Sequence, residues 1–288
     1  MSSQQDKFFP VMEQMTVKTV RKYLERKQSI IVPVGVIEQH GYHLPLNTDA
    51  LIAGKIARLA GQRADTLVGP TILQSFSGGG LPGTINISPA VMSLVISDTL
   101  MSLAAQGFRN FYLLLGHGGS ENTHALNDSV KILLRNNPAF KNVLVTIIPV
   151  WSMNSPGIGW SKAINKENPD WHAGWLETSL IMALEPELVR MDEMELDKEP
   201  YLSQQIAHPD NYQHAQKIVD DPLVVPRMSQ RSEIKVGVMG HPEKADPTMG
   251  KEIVDDIVKN LTARIEKIEA KADGVYKEVE FKPEPLIF

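Results

Sequence analysis

Two short apolar runs constrain this chain more than any other feature. Ser29 to Val36 and Phe111 to Leu115 are apolar at successive positions rather than alternate ones. A strand of that kind is buried on both faces, as parallel sheets require. Stretches with helical spacing separate such runs. One spans Thr16 to about Lys27. Another carries Leu51, Ile52, Ile56 and Leu59, with Thr48 or Asp49 placed to cap it. A third opens at Pro89, runs to about Gln106 and is ended by Gly107. A fourth covers about Asn122 to Arg135, and a last one Thr248 to Ala272 turns Ile253, Ile257 and Leu261 inward. Thr66 to Val68 and Val143 to Val150 add strands. Strands and helices taking turns predict an α/β fold with a central, mostly parallel sheet and helices on both faces. Residues 1–288 fit one such domain. Within it, about 186–232 is charged, proline-bearing and weakly periodic, and is expected to be an irregular excursion serving as a lid or an oligomer contact.

Composition removes several function classes. There are no cysteines, hence no disulfide, thiolate ligand or cysteine nucleophile. The net charge is −5 and no basic run stands out, so a nucleic-acid partner is not expected. No apolar stretch is long enough to span a bilayer. The first ten residues, MSSQQDKFFP, lack the apolar core of a signal peptide, and a cytoplasmic protein is expected. The tail, Lys277 to Phe288, has little periodicity.

The chemistry-bearing residues follow the strands, where ligands of open α/β sheets bind. After the first main strand come Glu38, His40, His43 and Asp49 in a loop containing Gly41 and Pro45. Carboxylates with imidazoles suit a borderline divalent cation. A Glu-x-His pair in extended backbone puts both side chains on one side. Asp49 could bridge two metals; the plainer alternative is a solvated loop with an N-capping Asp. After the second strand comes Gly116-His117-Gly118-Gly119-Ser120, where His117 is a natural ligand and a phosphate cradle is the rival reading. No G-x-G-x-x-G or P-loop pattern supports the cradle. His172-Ala173-Gly174-Trp175-Leu176-Glu177 offers an imidazole and a carboxylate as ligands or proton carriers, or simply an acidic helix start. The loop Ser75 to Thr84 reads as a pocket wall or a flexible connection, and His241 in Gly240-His241-Pro242 as structural.

Together these segments resemble the creatininase (creatinine amidohydrolase) family, from about Ile30 to Ile257. The family pattern P-x-G-x-x-E-Q-H-G-x-H-L-P-x-x-T-D stands here as Pro33 to Asp49. The later landmarks stand as Ser77 to Thr84, Gly116 to Ser120 and His172 to Ser179. The resemblance implies a three-layer α/β sandwich, usually in a homohexamer, holding one or two divalent metals, zinc first and manganese or iron as alternatives. By position it makes Glu38, His40, Asp49 and His117 metal ligands, with Asp49 as bridge. Glu177 becomes the remaining carboxylate, and His172, with Glu177, the catalytic pair. Ser77, Gly78, Glu121, Trp151 and Trp175 are the candidate substrate contacts.

There are departures. Leu115 and Ser120 replace asparagines of the family's glycine loop. Gly119 stands where creatininases proper carry a metal-binding Glu, so Glu177, or Glu121, must complete the site. That argues against creatinine itself as substrate. The implied reaction is hydrolysis of a small cyclic amide or formamide by metal-activated water. Carbon–carbon ring opening of a cyclic diketone such as a diketo-inositol needs the same apparatus. A nucleotide- or sugar-phosphate-binding protein without activity is the reading from a different class.

Overall fold

The computed structural model describes residues 11–163 and 169–272. The expectations for the first ten residues and for the tail from Lys277 lie outside them. A four-stranded parallel sheet has the order β2-β1-β3-β4, built from β1 (Ser29–Val34), β2 (Leu67–Val68), β3 (Asn110–Leu115) and β4 (Leu144–Pro149). Every residue of β1 and β3 is buried, as their unbroken apolar runs require.

Alternate side chains feed two cores, following the two-residue period of a strand. Ile30, Val32, Val34, Phe111, Leu113 and Leu115 face a cluster that α1 (Val17–Leu24), α3 (Pro89–Ala105) and α4 (Ser120–Asn136) complete through Tyr23, Met92, Ile96, Leu126 and Val130. Ile31, Tyr112 and Leu114 face the opposite cluster, shared with α2 (Thr48–Arg63), α6 (Trp175–Leu184) and α8 (Pro247–Ala272). Each fully buried side chain of this size contributes about 1.5–3 kcal/mol. The result is the expected three-layer α/β sandwich. No helix among the described residues is long and apolar enough to cross a membrane.

Local signals set the boundaries. Thr16 caps α1 by accepting from Thr19 N–H, and Ser88 caps α3 from Val91 N–H with Pro89 in the first turn. At α2 the expectation fails. Its N-cap is Asn47, and Thr48 and Asp49 lie inside the first turn. Thr48 Oγ1 donates back to the Pro45 carbonyl at 2.7 Å, and no side chain caps the helix. The 186–232 stretch is also more ordered than expected. It contains three short 3-10 turns, α7 (Tyr201–Ala207) and a separate antiparallel hairpin of β5 (Gln213–Gln216) and β6 (Arg227–Gln230). Its strands read Gln-His-Ala-Gln and Arg-Met-Ser-Gln, with no apolar face to betray them. A remaining short helix, α5 (Trp160–Ala163), follows β4.

Two glycines let α2 press onto the end of the sheet. A methyl on Gly35 would lie 2.5 Å from Ala50 Cα, and one on Gly116 would lie 2.1 Å from the Asp49 carbonyl oxygen. Any side chain at either place would hold the first turn of α2 away from the ends of β1 and β3.

Candidate metal centre

That close approach sets Asp49 between the loops that leave β1 and β3. Glu38 and His40 come from the first loop, which is tied down by Glu38 N–H donating to Leu46 O (2.8 Å) and Ile85 N–H to Ile37 O (2.9 Å). His40 Nδ1 donates to the Glu38 carbonyl at 3.0 Å. Its Nε2 is left to face Asp49 Oδ1 (3.5 Å) and Glu177 Oε2 (3.7 Å). On the other side of Asp49, His117 Nδ1 lies 3.2 Å from Asp49 Oδ2 and 3.2 Å from Glu38 Oε2. Ser77 Oγ donates to Glu38 Oε1 at 2.7 Å and leaves Oε2 to the cluster.

Glu177 arrives from the first turn of α6. Asp170, buried, accepts from the backbone N–H groups of Trp175, Leu176 and His241, each at 3.0 Å, and so holds the turn that starts the helix. Ala173 adopts a left-handed φ of 52°, and its N–H donates to Glu177 Oε2 at 2.7 Å. Such strain costs about 1–3 kcal/mol and persists where the surroundings enforce it. His172 stacks on His40 with ring centroids 4.2 Å apart, and its Nε2 donates to the Gln39 carbonyl at 2.7 Å.

Three donor groups result, each with its ligand atoms within 4.8 Å of one another: Glu38, Asp49 and His117; His40, Asp49 and Glu177; and Glu38, His40 and His172. Asp49 belongs to the first two and offers one oxygen to each. Buried polar atoms are normally hydrogen-bonded. Glu38 Oε2, His40 Nε2 and Asp49 Oδ2 are buried with no hydrogen-bond partner. Mixed carboxylate and imidazole donors converging in this way fit a divalent cation.

The electrostatics agree. Burial opposes charge on every group here. At His40 the charges of Asp49, Glu177 and Glu38 outweigh burial and push the imidazole up to about 10. His117 is likewise held well above its usual value, against burial, by Glu38 and Asp49. In return, the histidines overcome burial to hold Asp49 and Glu38 below the usual carboxylate range. Glu177 goes the other way, up to about 7, because burial and Asp49 outweigh His40. Burial and the charge on His40 lower His172 to about 4.

The remaining candidates divide. Glu121 is exposed in the first turn of α4, accepts from Ser120 Oγ at 2.9 Å and joins none of the three donor groups. Glu177, the other candidate, lies in a donor group with His40 and Asp49. Gly119 is explained by crowding: a methyl there would lie 2.5 Å from His117 Nε2. Trp151 borders the site, with its ring 3.6 Å from where a methyl on Gly118 would sit. Trp175 opens the wholly buried face of α6 and packs in the core at 7% exposure, with the Lys162 ammonium 5.8 Å from its ring. Ser77 and Gly78 line the glycine loop, but its amides are committed. Ser77 and Gly78 N–H donate to Asn86 Oδ1, Gly79 N–H to Ser77 Oγ, and Gly80 N–H to Gln230 Oε1. The loop lends shape rather than an oxyanion hole. Sequence reasoning missed Asn86, Gln39 and Asp170, which act only by holding others in place.

Known proteins place this geometry. The chain is 29% identical over 180 residues to a creatinine amidohydrolase of Pseudomonas putida, covering 57% of this chain and 66% of that one. It is 27% identical over 257 residues to a mycofactocin precursor peptide peptidase of Mycolicibacterium smegmatis, covering 85% and 87%. A crystal structure of creatininase superposes with a TM-score of 0.71 at 23% identity, covering 90% of this chain and 97% of that one. Zinc–zinc and manganese forms of creatininase superpose at 0.70. The sequence model of creatininase, creatinine amidohydrolase, matches residues 13–265. Since that match takes in every loop that feeds the donor groups, this chain belongs to the creatininase family.

Proposed function

We propose that this creatininase-family hydrolase cleaves the carbon–nitrogen bond of a small cyclic amide or formamide other than creatinine. The observation that carries the reading is Asp49, with one carboxylate oxygen in each of two buried donor groups. Glu38, Asp49 and His117 would hold one divalent cation, and His40, Asp49 and Glu177 a second. Zinc suits the donor set best, with manganese or iron as alternatives. When bound, such a cation brings the pKa of water near neutrality and polarises a carbonyl.

The protein's own groups supply the rest. Ser77 keeps Glu38 turned to the cluster. The Glu38 carbonyl fixes the His40 tautomer. His172 commits Nε2–H to the Gln39 carbonyl, so Nδ1 holds the lone pair. That nitrogen takes a proton from the attacking water and passes it to the leaving amide nitrogen. Trp151 supplies a flat wall beside the His117 loop.

A phosphate cradle at the start of α4 is disfavoured. Two carboxylates lie 3.2 Å from His117, and Glu121 sits in the helix's first turn. Assembly as a cytoplasmic homohexamer belongs to the same reading. Val91, Leu94, Ile132 and Leu134 are exposed apolar groups of α3 and α4 that assembly would cover. The test is metal analysis with a hydrolysis screen over lactams, formamides, short peptides and cyclic polyol ketones, with and without chelator. Stoichiometric metal with chelator-sensitive amide cleavage is expected. Turnover of the ketones alone would move the assignment to carbon–carbon hydrolysis, and metal without any turnover would overturn it.

A further inference from the structure

The 186–232 excursion is fastened to the rim of the metal centre. Asp197 is buried, and its carboxylate accepts from the N–H groups of Lys235 (2.7 Å), Val236 (3.0 Å) and Gly237 (2.7 Å). The Gly237 carbonyl accepts from the Gln39 side chain at 3.2 Å, between Glu38 and His40 in sequence. From the hairpin, Gln230 accepts from Gly80 N–H. Arg231 N–H donates to the Tyr212 carbonyl at 2.9 Å, and its Nε–H to the Asn211 carbonyl at 2.8 Å, so the base of the hairpin fixes Tyr212.

The Tyr212 hydroxyl comes down on the glycine loop. A methyl on Gly78 would lie 2.8 Å from it. The next residue, Gly79, sits over the centre itself, since a methyl there would lie 3.9 Å from Glu38 Oε1. Burial raises the phenol's pKa, and the charges of Glu38 and Glu121 raise it further. The excursion thus brings an aromatic side chain, 212 residues along the chain, to the mouth of a site built from the ends of β1 and β3.

We propose that Tyr212 is a specificity-determining residue, whose ring walls the mouth above Glu38 and limits the size of the group attached to the reacting carbonyl. The inference rests on the metal-hydrolase reading and sharpens it toward formyl and small-ring substrates. Its physical basis is exclusion. A ring held by a paired hairpin does not yield to a bulky substituent as a flexible loop would, and one misplaced methylene already discriminates about 10- to 200-fold.

The test uses two inert chelators on the zinc-loaded protein, acetohydroxamic acid and cyclohexanecarbohydroxamic acid. The wild type is expected to bind the small one at least roughly tenfold more tightly. Tyr212→Ala should narrow that ratio about tenfold with zinc content and melting temperature unchanged. Tyr212→Leu, which keeps apolar packing at the hairpin base, should narrow it in the same direction. An unchanged ratio in a folded, zinc-loaded variant overturns the wall and leaves the metal reading standing. Failure of the zinc-loaded wild type to bind either hydroxamate overturns the metal reading, and the wall with it.

Discussion

Replacing Gly116 by Ala tests how the site is assembled. The backbone of Gly116 is not left-handed, so alanine is conformationally acceptable there and only space is at issue. The added methyl would begin 2.1 Å from the Asp49 carbonyl oxygen and 3.2 Å from Ala53 Cβ. A carbon and a carbonyl oxygen settle at about 3.3 Å, so the first turn of α2 must retreat by about 1.2 Å. Overpacking of this kind destabilises by about 1–3 kcal/mol. The retreat also carries Asp49 away from His117, and a displacement of about 1 Å at a catalytic constellation can remove about 100-fold in rate. Gly118→Ala is the control. Its methyl would meet Trp151 at 3.6 Å, an ordinary contact. Urea unfolding and zinc competition against a chromophoric chelator should show Gly116→Ala less stable by about 1–3 kcal/mol and at least about tenfold weaker for zinc, with Gly118→Ala near wild type in both. Wild-type zinc affinity and unfolding midpoint in Gly116→Ala, or equal damage in Gly118→Ala, would refute the idea that glycine at 116 seats Asp49.

His117→Ala should lower metal content and abolish turnover while the protein stays folded; full occupancy measured by elemental analysis would remove it as a ligand. His172→Ala should keep its metal and lose about 100-fold or more in kcat, and unchanged turnover would take it out of the mechanism. Metal uptake at pH 7 should release protons. His40, at about 10, and His117, well above its usual value, are both protonated in the metal-free site and must give up those protons to coordinate. Affinity should therefore rise with pH across the neutral range, and calorimetric enthalpies that do not vary with the buffer's ionisation heat would contradict this.

Much of the fold was legible because β1 and β3 are apolar on both faces, a pattern that permits few architectures. The donor residues were legible for a related reason. Glu38, His40 and His117 stand shortly after those strands, where backbone direction brings them to one end of the sheet, and Asp49 opens the helix that follows the first of those loops. What stayed hidden depends on contacts distant in sequence. Sequence left Asp49 open as a bridge between metals or a helix cap, and the close approach at Gly116 is the contact that decides which neighbours its carboxylate meets. Trp175 resembled a pocket wall, but the apolar face of α6 draws it into the core. Asp170 and Asp197 are single acids in unremarkable loops, and their roles appear only when three backbone N–H groups from elsewhere are seen to converge on each. The hairpin of β5 and β6 carries no alternation at all, and pairing with itself rather than packing is what defines it.

A single carboxylate serving both donor groups has a consequence for how the protein is charged with metal. The two positions are not independent compartments. If both positions take a cation as proposed, the first to bind would neutralise part of the charge that the second depends on, and loading should be stepwise, with two unequal dissociation constants. A titration at limiting metal should then show a half-filled species distinct from both the empty and the full protein.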